Sequence, residues 1–433
     1  MPAARLLTGA GLAAALLLST GATAATATTA ATGATAATAA AAQAAPPVSA
    51  PVAGLPAALP AADGGKAQEL PAMPSAFDPD ADDVTCTAAS KEQAKKQDWS
   101  RQRLDLDRLH QYSTGTGVTV ALIDTGVATG AAGLDGRVTA EGTAGDDCVG
   151  HGTFLAGLIA GDGGDSPRLA GVAPGAKILA LRGTDERGQA SADLVVQAVR
   201  QAIEAKADVI AVGVALTKRD SALTQAVADA RKAGAVVVAA AAPDPTTNNS
   251  SDETPSRTYW PAGEAGVLSV ADMLPAGTRP DTALPTTGID LAAPGAGVVS
   301  GGPRGDGHYL GGGASVAAAY AAGAAAVVRA THPDDSADAV ARRLTATAYP
   351  ADIPQLDPYA AVTTVLGDAG SGAPAEAEQA AEPVTVRDTS SADRAMGRAT
   401  VFVILGTAGV LAVLWGAFVL PRARARGWRP AGK

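Results

Sequence analysis

Residues 118–126 read VTVALIDTG: six apolar or β-branched residues in an unbroken run, closed by an aspartate and a glycine-containing turn. A run this short, ended this abruptly, is expected of a strand buried on both faces of a parallel sheet. Three more stretches have the same character, Lys177 to Leu181 (KILAL), Val209 to Val214 (VIAVGV) and Val236 to Ala241 (VVVAAA). Small-residue helical patterns separate them at Ser191 to Lys206 and Ser221 to Ala233, and a third follows at Ser315 to Thr331. Each opens at a serine able to cap it. The alternation predicts an α/β fold, a parallel β-sheet flanked by helices. Aromatic residues make up only 3% of the chain, so the core must be built from Val, Leu, Ile and Ala. The same scarcity argues against a surface for stacking bases or sugars.

The composition divides the 433 residues around one folded domain, expected at 86–366. Residues 1–24 run from Arg5 through an apolar stretch, Leu6 to Leu18, to Ala22-Thr23-Ala24. This is the pattern of a cleavable signal peptide, against the alternative of an uncleaved anchor helix. Residues 25–85 are rich in Ala, Thr and Pro without periodicity and are expected to be a disordered linker. A second linker is expected at 367–398. Residues 399–420, ATVFVILGTAGVLAVLWGAFVL, carry no charge over the length of a transmembrane helix. Residues 421–433 add Arg422, Arg424, Arg426, Arg429 and Lys433, a basic tail that the positive-inside rule assigns to the cytoplasm. The expectation is a single-pass protein of the cell membrane with its folded domain outside. Net charge is −10 despite that tail, so the domain lacks the basic face that nucleic acid requires. The two cysteines, Cys86 and Cys148, are expected to form a disulfide bond in an oxidising compartment, with two unpaired thiols as the alternative. No neighbouring histidine pair makes them a zinc site.

Three segments carry the residue types of nucleophilic catalysis. Asp124 closes its strand at the carboxyl edge of the sheet, where open α/β folds keep their sites. His151 opens HGTFLAG, and histidine is the side chain suited to shuttling a proton near neutral pH. Ser315 follows three glycines in GGGASVAA, at a helix start whose N–H groups can stabilise an oxyanion. Singly, each has a plainer reading: a turn-capping aspartate, a structural histidine, an N-cap serine.

In the order Asp, His, Ser, these segments resemble the subtilases. LAGVAPGA (169–176), YWPA (259–262), VLSVA (267–271), IDLAAPGAGVVS (289–300) and LDPYAAV (356–362) extend the resemblance over the whole folded domain. The lead-in from Cys86 to Trp99, the cysteine just before HGT, and the signal peptide with a C-terminal span resemble the mycosins, membrane-anchored subtilases of type VII secretion. The resemblance implies a three-layer subtilisin-like fold and a serine endopeptidase acting on protein or peptide substrates. Ser315 would be nucleophile, His151 general base and Asp124 its orienting partner. Gly213, Val214 and Ala215 would pair with substrate backbone, no metal or cofactor is called for, and secretion-system membrane components are the implied partners. The low-complexity stretch 25–85 is not expected to form the compact inhibitory propeptide of secreted subtilisins.

Departures from the family pattern concentrate at one place. After the strand at 236–241, where subtilases supply an oxyanion-hole asparagine, the chain reads Ala241-Ala242-Pro243-Asp244. Strict alignment puts Pro243 there, with neither a side-chain donor nor an N–H. A protonated Asp244, or Asn248 or Asn249 on the same loop, are the possible substitutes. Ala314 and Ala319 replace a usual threonine and proline, and Gly213-Val214-Ala215 stands where Ser-Leu-Gly is common. These changes leave a second class of function open, a catalytically weak or inactive subtilase-like scaffold in a membrane secretion complex. An aspartic protease, suggested by Asp124-Thr125-Gly126, would need a second Asp-Thr-Gly, which the sequence lacks.

Overall fold

Apolar runs alternating with amphipathic helices fold into one wholly parallel seven-stranded sheet in the computed structural model, which describes residues 69–163, 169–245, 255–366 and part of 403–427. The strands are β1 (Thr119–Asp124), β2 (Val138–Ala140), β3 (Lys177–Arg182), β4 (Val209–Val212), β5 (Val236–Ala240), β6 (Leu268–Met273) and β7 (Leu291–Pro294). Their spatial order is β2-β3-β1-β4-β5-β6-β7. The chain direction across the sheet reverses beside β1, so the carboxyl end of β1, where Asp124 sits, lies at the crevice that such a reversal opens.

Two short helices, α1 (Trp99–Arg103) and α2 (Leu106–Leu109), precede the sheet. Helix α3 (His151–Ala160) packs on one face, and α4 (Ala192–Glu204) and α5 (Ser221–Lys232) pack on the other. Side-chain alternation sorts the strands between these layers. Val120 and Leu122 join the cluster with α3, while Ala121 and Ile123 join the cluster with α4 and α5. Helix α6 (Ala314–Thr331) shares the α3 face, followed by α7 (Ala337–Ala346) and α8 (Pro358–Thr363). Residues 314–328 of α6 are all buried, which explains an apolar composition on every side. Alone among the described helices, α6 has the length and composition of a membrane span. Its burial beneath the sheet makes it a core helix instead. Gly323 allows the close packing, since a Cβ there would lie 2.7 Å from Val172 Cβ.

Only one of the three helices caps as the serine pattern suggests. Ser191 Oγ accepts the N–H of Leu194, but α5 is capped by Asp220 and α6 by Gly313. Ser315 is the second residue of α6, with its side chain directed into the site.

The fold also begins earlier than its composition suggests. Residues 71–77, expected to belong to a disordered linker, run against the antiparallel hairpin β8 (Val298–Gly301) and β9 (His308–Gly311). Met73 N–H donates to Leu310 O, Leu310 N–H to Pro71 O, and Phe77 N–H to Arg187 O, each at 2.8 Å. The composition argument weighs side-chain burial alone; here an open strand edge supplies backbone partners. Nearby, Arg101 is 1% exposed and bonds Asp98 and the carbonyls of Leu169, Ala170 and Val299. It ties α1 to the hairpin and to the loop after α3.

The expected signal peptide, most of the first linker, and the linker at 367–398 lie outside the described residues. Within 403–427 an apolar helix, Leu405–Ala417, is described. Its Leu405, Val413 and Trp415 are 63%, 71% and 70% exposed.

Candidate active site

The ends of β1, α3 and α6 bring Asp124, His151 and Ser315 together. Asp124 Oδ1 accepts the Nδ1–H of His151 at 2.8 Å and the N–H of Thr125 at 2.8 Å. The other ring nitrogen, Nε2, lies 3.1 Å from Ser315 Oγ. All three residues are buried. Burial alone would lower the pKa of His151. The Asp124 carboxylate, reinforced by Asp244, outweighs burial and holds the imidazole well above its usual value.

Two glycines make this approach possible. A Cβ on Gly152 would fall 2.0 Å from Gly126 O, and one on Gly213 would fall 2.2 Å from Asp124 Oδ2. Asp124 Oδ2 has no hydrogen-bond partner among the described residues. A family model described as "Subtilase family" matches residues 115–384. The chain belongs to the subtilase family. It is a serine endopeptidase of the mycosin type.

Mycosin-3 of Mycobacterium tuberculosis is 32% identical over 388 residues, spanning 72% of this chain and 83% of that protein. Subtilisin E of Bacillus subtilis is 30% identical over 244 residues, spanning 55% of this chain and 62% of its own length. Among solved structures, the MycP3 protease from the type VII (ESX-3) secretion system superposes with a TM-score of 0.55 at 27% identity, covering 69% of this chain and 95% of its own. MycP1 with the N-terminal propeptide removed gives a TM-score of 0.52 at 29% identity, covering 62% and 98%.

Sequence reasoning overlooked Asp147. Its Oδ1 accepts Thr125 Oγ–H and Gly150 N–H, and its Oδ2 accepts Thr153 N–H and Oγ–H, all within 2.9 Å. Thr125 Oγ1 in turn accepts the N–H of Gly152. One buried carboxylate thus joins the Asp-Thr-Gly turn to the start of α3 and fixes the distance between Asp124 and His151. Burial pushes its carboxyl above the usual range, against the pull of its hydrogen bonds. The available signal was local: an acidic residue four before His151, just ahead of a helix start whose N–H groups need acceptors.

Pro243 lies three residues beyond the end of β5, and the next residue, Asp244, reaches Ser315. Asp244 Oδ1 accepts Ser315 N–H at 3.0 Å, while Oδ2 accepts Ser315 Oγ–H at 2.5 Å and lies 3.1 Å from His151 Nε2. The Asp244 side chain is 6% exposed. Asn248 and Asn249 lie outside the described residues.

A cleft of about 330 Å³ runs beside these groups, bounded by Met73, Pro74, His151, Phe154, Asp244 and Gly312. The early segment 71–77 therefore forms part of its wall. Gly213, Val214 and Ala215 follow β4 and are half-buried, with Gly213 against Asp124. Cys86 and Cys148 are bonded, so the segment after residue 85 is fixed to the turn three residues before His151. Of the remaining histidines, His110 Nε2 faces the carbonyls of Gly171 and Val172, and His308 Nδ1 accepts the N–H of Ala94. Both are held structurally, away from the triad.

Proposed function

We propose that this endopeptidase is exported, anchored in the cell membrane by its C-terminal helix, and works beside a type VII secretion system on a protein substrate. Its chemistry runs through Asp124, His151 and Ser315. Ser315 Oγ attacks the peptide carbonyl carbon as its proton passes to His151 Nε2. Asp124 holds the ring through Nδ1–H and stabilises the imidazolium. Collapse of the tetrahedral intermediate expels the amine, which takes the proton from His151. Water then repeats the cycle on the acyl-enzyme. The backbone after β4, at Gly213 to Ala215, is the edge on which an extended substrate pairs.

The observation that carries this reading is the continuous line of contacts Asp124 Oδ1, His151 Nδ1, His151 Nε2 and Ser315 Oγ. Membrane anchoring is supported by the apolar helix Leu405–Ala417, whose large side chains are exposed to the surroundings. The basic residues after it support a cytoplasmic tail, and the likeness to MycP3 supports the secretion assignment. One observation favours a second reading, a brace with little catalysis: the carboxylate of Asp244 sits on the nucleophile. Labelling the full-length detergent-solubilised chain with a fluorophosphonate separates the two. Label that is lost in Ser315→Ala is expected; a folded chain that takes no label at any pH favours the brace.

A further inference from the structure

The backbone N–H of Ser315 lies at the start of α6, where such groups can stabilise an oxyanion, and here it is already engaged by Asp244 Oδ1 at 3.0 Å. The second oxygen, Oδ2, holds the serine hydroxyl at 2.5 Å and stands 3.1 Å from His151 Nε2. Gly313 gives this carboxylate its place. A Cβ on Gly313 would lie 2.0 Å from Asp244 Oδ1, and the residue has φ +127°. Pro243 and Pro245 restrict the backbone on both sides of Asp244.

We propose that Asp244 is a catalytic residue with two states: as a carboxylate it fills the oxyanion position and restrains the nucleophile, and as a neutral acid it donates its O–H to the oxyanion. This rests on the protease reading above and adds the group that governs when the triad is usable. An ionised oxygen there repels the charge that develops on the carbonyl oxygen, whereas a protonated carboxyl is a competent donor in such a site.

The proton has a source within the site. With His151 charged and Asp244 ionised, the pair attract each other and no base is available. Transfer of one proton from His151 Nε2 to Asp244 Oδ2 leaves a neutral base and an acid donor without changing the total charge. The substrate carbonyl oxygen displaces Asp244 Oδ1 from Ser315 N–H; Ser315 Oγ then bonds to the carbonyl carbon, its proton moves to His151 Nε2, and the carbonyl π pair settles on oxygen between Asp244 O–H and Ser315 N–H. The groups facing Asp244 are His151, with Asp124 behind it, Ser315, and more distantly Asp272, which is paired with Arg279.

This shared proton reverses the usual alkaline behaviour. An ordinary triad gains activity as its histidine loses a proton. Here that loss leaves both His151 neutral and Asp244 ionised, so activity falls as pH rises through the raised pKa of His151. Asp244→Asn keeps a donor and removes the charge. Its profile should rise with pH to a plateau, with a lower His151 midpoint.

The test is the second-order rate of fluorophosphonate labelling across pH 4–10 for the full-length wild type, Asp244→Asn and Asp244→Ala, each verified as folded by circular dichroism. On the alkaline side Asp244→Asn should label about a hundredfold faster than wild type, the scale of one oxyanion donor. Asp244→Ala should share the rising profile with a plateau about a hundredfold below Asp244→Asn. A wild-type rate that rises to an alkaline plateau, or equal plateaus for the two variants, overturns the role of Asp244 and leaves the protease reading standing. Folded protein with no label in any variant overturns the protease reading and this one together.

Discussion

Gly152 stands at a narrow point of the site, and alanine is the smallest change that tests it. The added Cβ would fall 2.0 Å from Gly126 O, where ordinary contact begins at 3.4 Å. The Cβ is fixed rigidly to one backbone and the oxygen belongs to another, so α3 and the turn after β1 must separate by about 1.4 Å to restore contact distance. The His151–Asp124 hydrogen bond, now 2.8 Å, would then open beyond bonding range. A misplacement of about 1 Å costs about a hundredfold in rate, or about 2.7 kcal/mol of barrier. Overpacking should also lower stability by about 1–3 kcal/mol. Fluorophosphonate labelling of the full-length chain, run well below the melting temperature of each protein, separates these effects. A Gly152→Ala protein that labels at the wild-type rate would mean that this contact does not set the Asp124–His151 distance.

Two further changes address what holds the site in place. Arg101→Met removes a buried cation, leaving the Asp98 carboxylate and three carbonyl oxygens without it. The loss should be about 3–5 kcal/mol in denaturant unfolding, and a change under about 1 kcal/mol would contradict it. The disulfide joins positions separated by 62 residues. Replacing both cysteines with serine should cost about 4 kcal/mol by chain entropy, read as a lower denaturation midpoint, whereas an unchanged midpoint would mean the bond adds nothing to stability.

The strands were legible because a parallel sheet covered on both faces leaves a simple imprint: an apolar run with a polar stop, as in β1 and Asp124. Helix α6 was legible too, since only small residues pack that closely. Its cap was not, because a serine at a helix start serves a cap and a nucleophile equally well, and only the fold decides its direction. Segment 71–77 was missed for a different reason: its order comes from backbone bonds to Leu310 and Arg187, which depend on no particular side chain. Asp147 and Asp244 lie between these cases. Both were visible as acidic residues beside a motif, but their roles depend on loops whose paths periodicity does not encode.

Helix α6 carries Ser315 on its second residue and then runs as a buried rod under the sheet, in contact with β4, β5, β6 and β7. Local opening, which in most enzymes begins at loops around the site, cannot release such an element without dismantling the core. Amide exchange along 314–328 should therefore proceed at the pace of whole-molecule unfolding. A chain that is half folded or damaged has no assembled site. Its proteolytic hazard is confined to the finished molecule.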